Sequence, residues 1–162
     1  MMIHDLDMAC CLLGEEPLEV SAAASCLVDP TIGAAVDVDT ALVILRTASG
    51  RLCQISNSRR ATYGYDQRIE AHGAGGLLRA GNVVPTTVEM ATSAGFLSDP
   101  VLPFFLERYA QAYRTELAAF VEAALGQGPA RPDGDDGLRA LSLADAALEA
   151  ASTGCTVRLE AP

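Results

Sequence analysis

Apolar residues recur along this chain with two different periods, and the change of period divides it. Residues 4–13 place Leu6, Cys10 and Leu13 at steps of three and four, which predicts a short helix. Asp5 and Asp7 sit in its first turn, where carboxylates favour the helix dipole, and Gly14 is placed to cap its end. From residue 17 the period shortens to two. Residues 17–28 alternate best at Leu18, Val20 and Ala22. Residues 38–47 read as a β-branched, nearly all-apolar strand, and 51–62 return from it through the turn Ala48-Ser49-Gly50. On the returning strand Cys53, Ile55 and Asn57 share one face, and Leu52, Gln54 and Ser56 the other. Further strands are predicted at 68–73, 77–80 and 86–92, with loops at 29–36 and 96–103.

Helical spacing resumes near Pro103. Leu106, Tyr109, Tyr113, Leu117, Phe120 and Val121 predict one long helix, stopped by Gly126-Gln127-Gly128-Pro129. A second helix over roughly 137–152 places Leu138, Leu141, Ala144 and Leu148 on one side, and Gly154 ends it. Residues 156–159 suit a last strand. The order of helix, strands and helices predicts an α+β fold: an open, mostly antiparallel sheet of about six strands with helices on one face. The length of 162 residues suits one domain over 1–162, and half of the residues are hydrophobic, enough for a sizeable core.

Charge narrows the function. Twenty-one acidic residues against 11 basic ones leave a net charge of −10. That argues against binding driven by a phosphate backbone and against an anionic membrane surface, so neither nucleic acid nor membrane is expected as a partner. No apolar run approaches the ~18–20 residues of a membrane helix, and the N-terminus has no basic segment of the secretory kind. The cysteines Cys10, Cys11, Cys26, Cys53 and Cys155 are odd in number and form no C-x-x-C. Neither a disulfide framework nor a metal site is predicted; reduced thiols in a cytoplasmic protein are.

Two stretches hold candidate chemistry. His4 and Asp7 are three apart and share a helix face. Spacing alone leaves His4 open between a fraying terminal residue and a site residue. The second stretch runs from Asn57 to Arg68 and packs Tyr63, Tyr65, two amides and three arginines into twelve residues. Such donors and acceptors beside a pocket suit a polyhydroxylated ligand; they equally suit a solvated loop whose arginines pair with an acidic surface. His72, on a strand face with Glu70, reads as a surface histidine. No G-x-G-x-x-G follows a strand, and Gly73-Ala74-Gly75-Gly76 joins two strands, so no dinucleotide site is predicted in this chain.

Three segments together, Ile3-His4-Asp5-Leu6-Asp7-Met8, residues 57–68 and Pro103-Phe104-Phe105-Leu106-Glu107-Arg108-Tyr109 with Tyr113, resemble the C-terminal, substrate-side domain of the Gfo/Idh/MocA oxidoreductases, and among them the inositol 2-dehydrogenases. The resemblance covers essentially all of the chain. It implies the dihydrodipicolinate-reductase-like sheet of that domain, preceded in full-length enzymes by a Rossmann domain for NAD or NADP. It implies His4 as the catalytic proton-transfer residue, with Asp7, Tyr63, Tyr65 and Tyr109 binding the hydroxyls of a small polyol. The family's catalytic lysine and its aspartate four residues before the histidine fall ahead of Met1. The resemblance therefore implies an NAD-dependent polyol dehydrogenase domain that is inactive as an isolated, truncated chain, binds no cofactor alone and forms a homo-oligomer through its sheet face. A dehydrogenase domain for another sugar, or a non-catalytic standalone dimerisation or ligand-binding module, are the alternatives.

Overall fold

The computed structural model describes residues 2–160. Met1 and the last two residues of the expected 1–162 domain lie outside them. Contacts gather the chain into two compact units, Met1–Arg60 with Pro132–Pro162, and Ala61–Arg131.

The first unit begins with α1 (Ile3–Leu13), ended by Gly14 in the left-handed conformation at φ 62° with its N–H on the Cys10 carbonyl. Strands β1 (Pro17–Ser25), β2 (Thr40–Thr47) and β3 (Leu52–Ser58) follow, with a short helix α2 (Pro30–Ala34) between the first two. The chain returns to this unit with α5 (Gly134–Thr153) and β8 (Val157–Arg158). The sheet is antiparallel in the order β3-β2-β1-β8. Val20 lies opposite Leu45, and Val43 opposite Ile55, so one face is continuously apolar. α1 and α5 cover that face. Leu6 and Ala9 of α1 and Leu143, Ala146 and Ala147 of α5 close on Val20, Val43, Leu45 and Ile55. The alanines let α5 lie close to β1, and Leu6, Val20 and Leu45 are fully buried. The start of α5 is fixed by a capping box between Asp133 and Asp136.

The expected loop over 29–36 contains α2, because Asp29 caps it by accepting from the Thr31 N–H and Pro30 occupies its first turn. The strand expected to reach residue 28 stops at Ser25 for a related reason. The N–H groups of Leu27, Val28 and Asp29 turn away from the sheet onto the carboxylate of Asp39, at 2.8, 2.7 and 2.9 Å. Asp39 also accepts from the Thr40 hydroxyl at 2.9 Å and is fully buried.

The second unit holds two hairpins, β4 (Ile69–Gly73) with β5 (Gly76–Ala80) and β6 (Glu89–Thr92) with β7 (Gly95–Ser98), followed by α3 (Phe105–Arg108) and α4 (Ala110–Ala124). The α+β class with helices on the sheet is the observed one; the strands are shared among a four-stranded sheet and these two hairpins. β7 falls in the segment read as a loop, and the helix expected from Pro103 begins at Phe105 and breaks at Tyr109, whose φ and ψ are −103° and 9°. Among the described residues of this unit none is buried, and Leu117 and Phe120 on the apolar stripe of α4 are 64% and 66% exposed.

Burial pushes the Asp39 carboxyl up, but the three N–H groups and the Thr40 hydroxyl outweigh it and hold it well below the usual carboxylate range. A carboxylate whose folded pKa is depressed contributes stability that is present above its unfolded pKa, near 3.9, and is lost as pH falls through the folded value. Asp39→Asn, which removes the charge from three converging donors, is expected to lower the thermal midpoint at pH 7 by about 5 °C or more. The deficit shrinks as pH falls below about 4; midpoints followed by circular dichroism from pH 7 to pH 3 check both the drop and its direction with pH.

Candidate functional site

The candidate residues fall in both units. In the first, Leu6, Ala9 and Leu13 of α1 are buried, which turns His4 to solvent and leaves Asp7 half-buried. The side chains of His4 and Asp7 form no hydrogen bond or ion pair among the described residues. The first turn of α1 has no side-chain cap at Met2. It is tied to the sheet by Asp5 instead, which accepts from Asn57 Nδ2 at 2.9 Å on the inward face of β3. The free imidazole and its neighbouring carboxylate thus stand on a turn held from behind. Histidine exchanges a proton near neutral pH, and a carboxylate one helical turn away accepts hydrogen bonds from hydroxyl groups.

In the second unit the stretch from Tyr63 to Arg68 is shaped by one carboxylate. Asp66 accepts from Arg68 Nε at 2.8 Å and Nη2 at 2.9 Å, from Asn82 Nδ2 at 2.7 Å, and from the Tyr63 hydroxyl. The Asn82 amide oxygen in turn accepts the Gln67 N–H at 2.8 Å. The bidentate Arg68 guanidinium, with the Tyr63 hydroxyl and the Asn82 amide, brings the Asp66 carboxyl down to about 2 against its partial burial. The same hydrogen bond to Asp66 pushes the Tyr63 phenol up. Tyr63, expected to bind a ligand hydroxyl, commits its own hydroxyl to this hub.

Gly64 separates the two tyrosines at φ 128°, and a Cβ there would stand 2.4 Å from Val101 Cγ2 and 2.8 Å from the Val101 carbonyl oxygen. Only glycine permits that approach. The Tyr65 N–H then reaches the Leu102 carbonyl at 2.9 Å. The Tyr65 and Tyr109 rings meet edge to face, with centroids 5.7 Å apart, and the Tyr109 hydroxyl donates to Gln67 Oε1. Two of the three tyrosines are therefore together, and the third is beside them in sequence but turned to Asp66. Asp66, Gln67 and Asn82 are organising residues that the sequence reading passed over. The tight run Tyr63-Gly64-Tyr65-Asp66-Gln67 was the available signal for two of them; Asn82 sits beyond a hairpin and gave none.

His72 lies exposed on β4 with Nε2 3.8 Å from Glu70. Among the described residues no group of three or more His, Cys, Asp or Glu could hold a metal ion, and no helix is long and apolar enough to cross a membrane.

The family model described as "Oxidoreductase family, C-terminal alpha/beta domain" matches residues 1–159. The inositol 2-dehydrogenase of Rhizobium meliloti is 53% identical over 91% of this chain and 45% of its own length. The crystal structure of a myo-inositol dehydrogenase from Corynebacterium glutamicum superimposes with a TM-score of 0.92 at 44% identity, covering all of this chain and 49% of that one. A scyllo-inositol dehydrogenase from Lactobacillus casei, solved with bound NAD(H) and scyllo-inositol, gives a TM-score of 0.86 at 28% identity over 98% of this chain and 46% of its own. The chain thus spans about half the length of these relatives.

Asp66→Asn keeps the side-chain shape but removes the charge on which Arg68, Tyr63 and Asn82 converge. The Tyr63 phenol is expected to ionise at a lower pH in this variant. Titration of the 13Cζ signals of labelled tyrosines checks this, and an unmoved Tyr63 would contradict the hub.

Proposed function

The chain belongs to the Gfo/Idh/MocA oxidoreductase family, and we propose that it is the substrate-side domain, over 1–162, of an NAD-dependent dehydrogenase that oxidises a secondary alcohol of a cyclic polyol, myo-inositol or a close relative. The observation that carries this reading is the exposed, uncommitted His4 beside Asp7 on an anchored helix turn, in a chain whose relatives bear inositol dehydrogenase names.

Oxidising an alcohol requires a group that takes the hydroxyl proton. His4 is the proton acceptor in this reading: a neutral imidazole nitrogen receives the proton as the hydroxyl becomes a carbonyl. Asp7 accepts a hydrogen bond from a neighbouring ring hydroxyl and so fixes which carbon faces His4. In the second unit Tyr65 offers ring surface and a hydroxyl donor for a polyol, Tyr109 offers ring surface while its hydroxyl is given to Gln67, and Tyr63 lends its ring edge while Asp66 holds its hydroxyl. The described residues do not fit a dinucleotide. The strands are antiparallel, and no glycine-rich turn leads from a parallel strand into a helix. The nucleotide belongs to a separate Rossmann domain in this reading, and the present chain supplies only the proton half of the reaction.

Two further assignments accompany it. The outer sheet face, where Leu42, Ile44 and Leu52 are 47%, 51% and 69% exposed, is the homo-oligomer contact; a monomer by light scattering would remove that assignment. The five free thiols suit a reducing, cytoplasmic location.

The purified 162-residue chain is expected to show no NAD-dependent oxidation of myo-inositol. Joined behind the nucleotide-binding half of the Rhizobium meliloti relative, it is expected to gain that activity, and His4→Ala in the joined protein to lower kcat about 10²–10⁴-fold. Full activity in the His4→Ala form would overturn the role given to His4, and robust activity of the chain alone would overturn its place as a partial enzyme.

A further inference from the structure

Arg108 is a guanidinium of the second unit that stands against an aromatic ring and pairs with no carboxylate among the described residues. Arg68 and Arg79 pair with Asp66 and Glu70, whereas the Arg108 side chain, in a protein with 21 acidic residues, forms no ion pair or hydrogen bond among the described residues. Its Nε is buried without a hydrogen-bond acceptor. What it does face is an aromatic ring: the guanidinium carbon stands 5.4 Å from the centroid of Tyr109. A planar cation over a phenol ring is attracted by the negative face of the π-system. The same ring is fixed on its other sides. Its hydroxyl donates to Gln67, Tyr65 meets it edge to face at 5.7 Å, and Tyr113 does so at 6.5 Å. The helix also breaks at Tyr109, between α3 and α4, so the backbone alone does not fix the direction of this side chain.

We infer that Arg108 is a positioning residue of the polyol site: its guanidinium clamps the face of Tyr109, holding that ring edge-on to Tyr65 and its hydroxyl on Gln67, so that the pair meets a ring polyol as one preformed surface. The inference rests on the polyol reading given above. The effect of the clamp is to settle the orientation of Tyr109 before ligand arrives, which lowers the ordering cost of binding. A lysine at this position keeps the charge but not the flat face; a methionine keeps the stem and loses both.

The test uses the 162-residue chain with 13C-labelled tyrosine and 15N-labelled arginine. The four tyrosine signals are assigned by single Tyr→Phe variants, and myo-inositol is the added ligand. In the unsubstituted chain the Tyr65 and Tyr109 signals are expected to move together and saturably. Arg108→Met is expected to weaken the response roughly two- to five-fold, the scale of a lost cation–π contact, with Arg108→Lys recovering part of it. The Tyr63 signal and the circular dichroism spectrum stay as they were. An Arg108→Met titration matching that of the unsubstituted chain would overturn the inference. If Arg108→Met does not fold, Arg108→Lys decides: a titration identical to the unsubstituted chain overturns the inference, and a weakened one upholds it. If myo-inositol moves no tyrosine signal in the unsubstituted chain, the polyol reading fails, and the clamp is judged by the Arg108 Nε–H resonance. A resonance shifted upfield by the ring and returned downfield by Tyr109→Leu upholds the clamp; one at the ordinary position overturns it.

Discussion

The docking of α1 onto the sheet is the constraint on which the rest depends. Leu6 is fully buried between Val20, Val43, Leu45 and Ile55, and its removal to alanine would cost about 2–5 kcal/mol by the behaviour of comparable core sites. That one side chain fixes the rotation of the helix. With Leu6 and Ala9 inward, a period of 3.6 residues leaves His4 outward and Asp7 at the margin. The Asp5–Asn57 hydrogen bond then holds the first turn, which lacks a cap of its own. A histidine two residues from a described terminus would ordinarily fray; here it is the exposed corner of a helix whose opposite face is core.

The two units obtain order by different means. The first has an apolar core and a buried carboxylate, Asp39, that collects three backbone N–H groups where the chain leaves β1. The second has no buried residue among those described and is organised by polar and aromatic contacts: Asp66 gathers Arg68, Tyr63 and Asn82, and Tyr109 gathers Gln67, Tyr65 and Arg108. Such contacts are directional where hydrophobic burial is not. They hold hydroxyls and rings at set angles. The same unit leaves Leu117 and Phe120 exposed on α4, apolar area that an isolated unit does not bury.

Much of the first unit was legible in the sequence because its periods are clean. Leu6, Cys10 and Leu13 marked α1, and the β-branched, nearly all-apolar run marked β2, though an all-apolar run does not say which face is buried. What could not be read depends on contacts far apart along the chain. β1 ends where it does because Asp39, ten or more residues on, captures its following N–H groups. The helix after Pro103 breaks at Tyr109, whose side chain is committed to Gln67, 42 residues earlier. β7 was missed because Gly95-Phe96-Leu97-Ser98 is too short to show a period and gains its identity from pairing with β6. For the site, residue types and spacing singled out His4 with Asp7 and the stretch from Asn57 to Arg68 but left both open; the roles of His4, Asp7, Tyr63, Tyr65 and Tyr109 came from the family resemblance. Nothing in the residue pattern shows that Tyr63 spends its hydroxyl on Asp66, because the pattern gives that carboxylate no role.

Two histidines in one chain supply an internal control for the central claim, that the first turn of α1 presents His4 to a polyol. His4 is exposed and uncommitted, whereas His72 stands on β4 beside Glu70. The most direct measurement follows the ring Cε1–H signals of both in the folded chain as myo-inositol is added at neutral pH, with Asp7→Asn as the comparison. The account predicts a saturable movement of the His4 signal that is weakened in Asp7→Asn, with His72 unmoved. A His4 signal that stays still, or that moves only in step with His72, would contradict it.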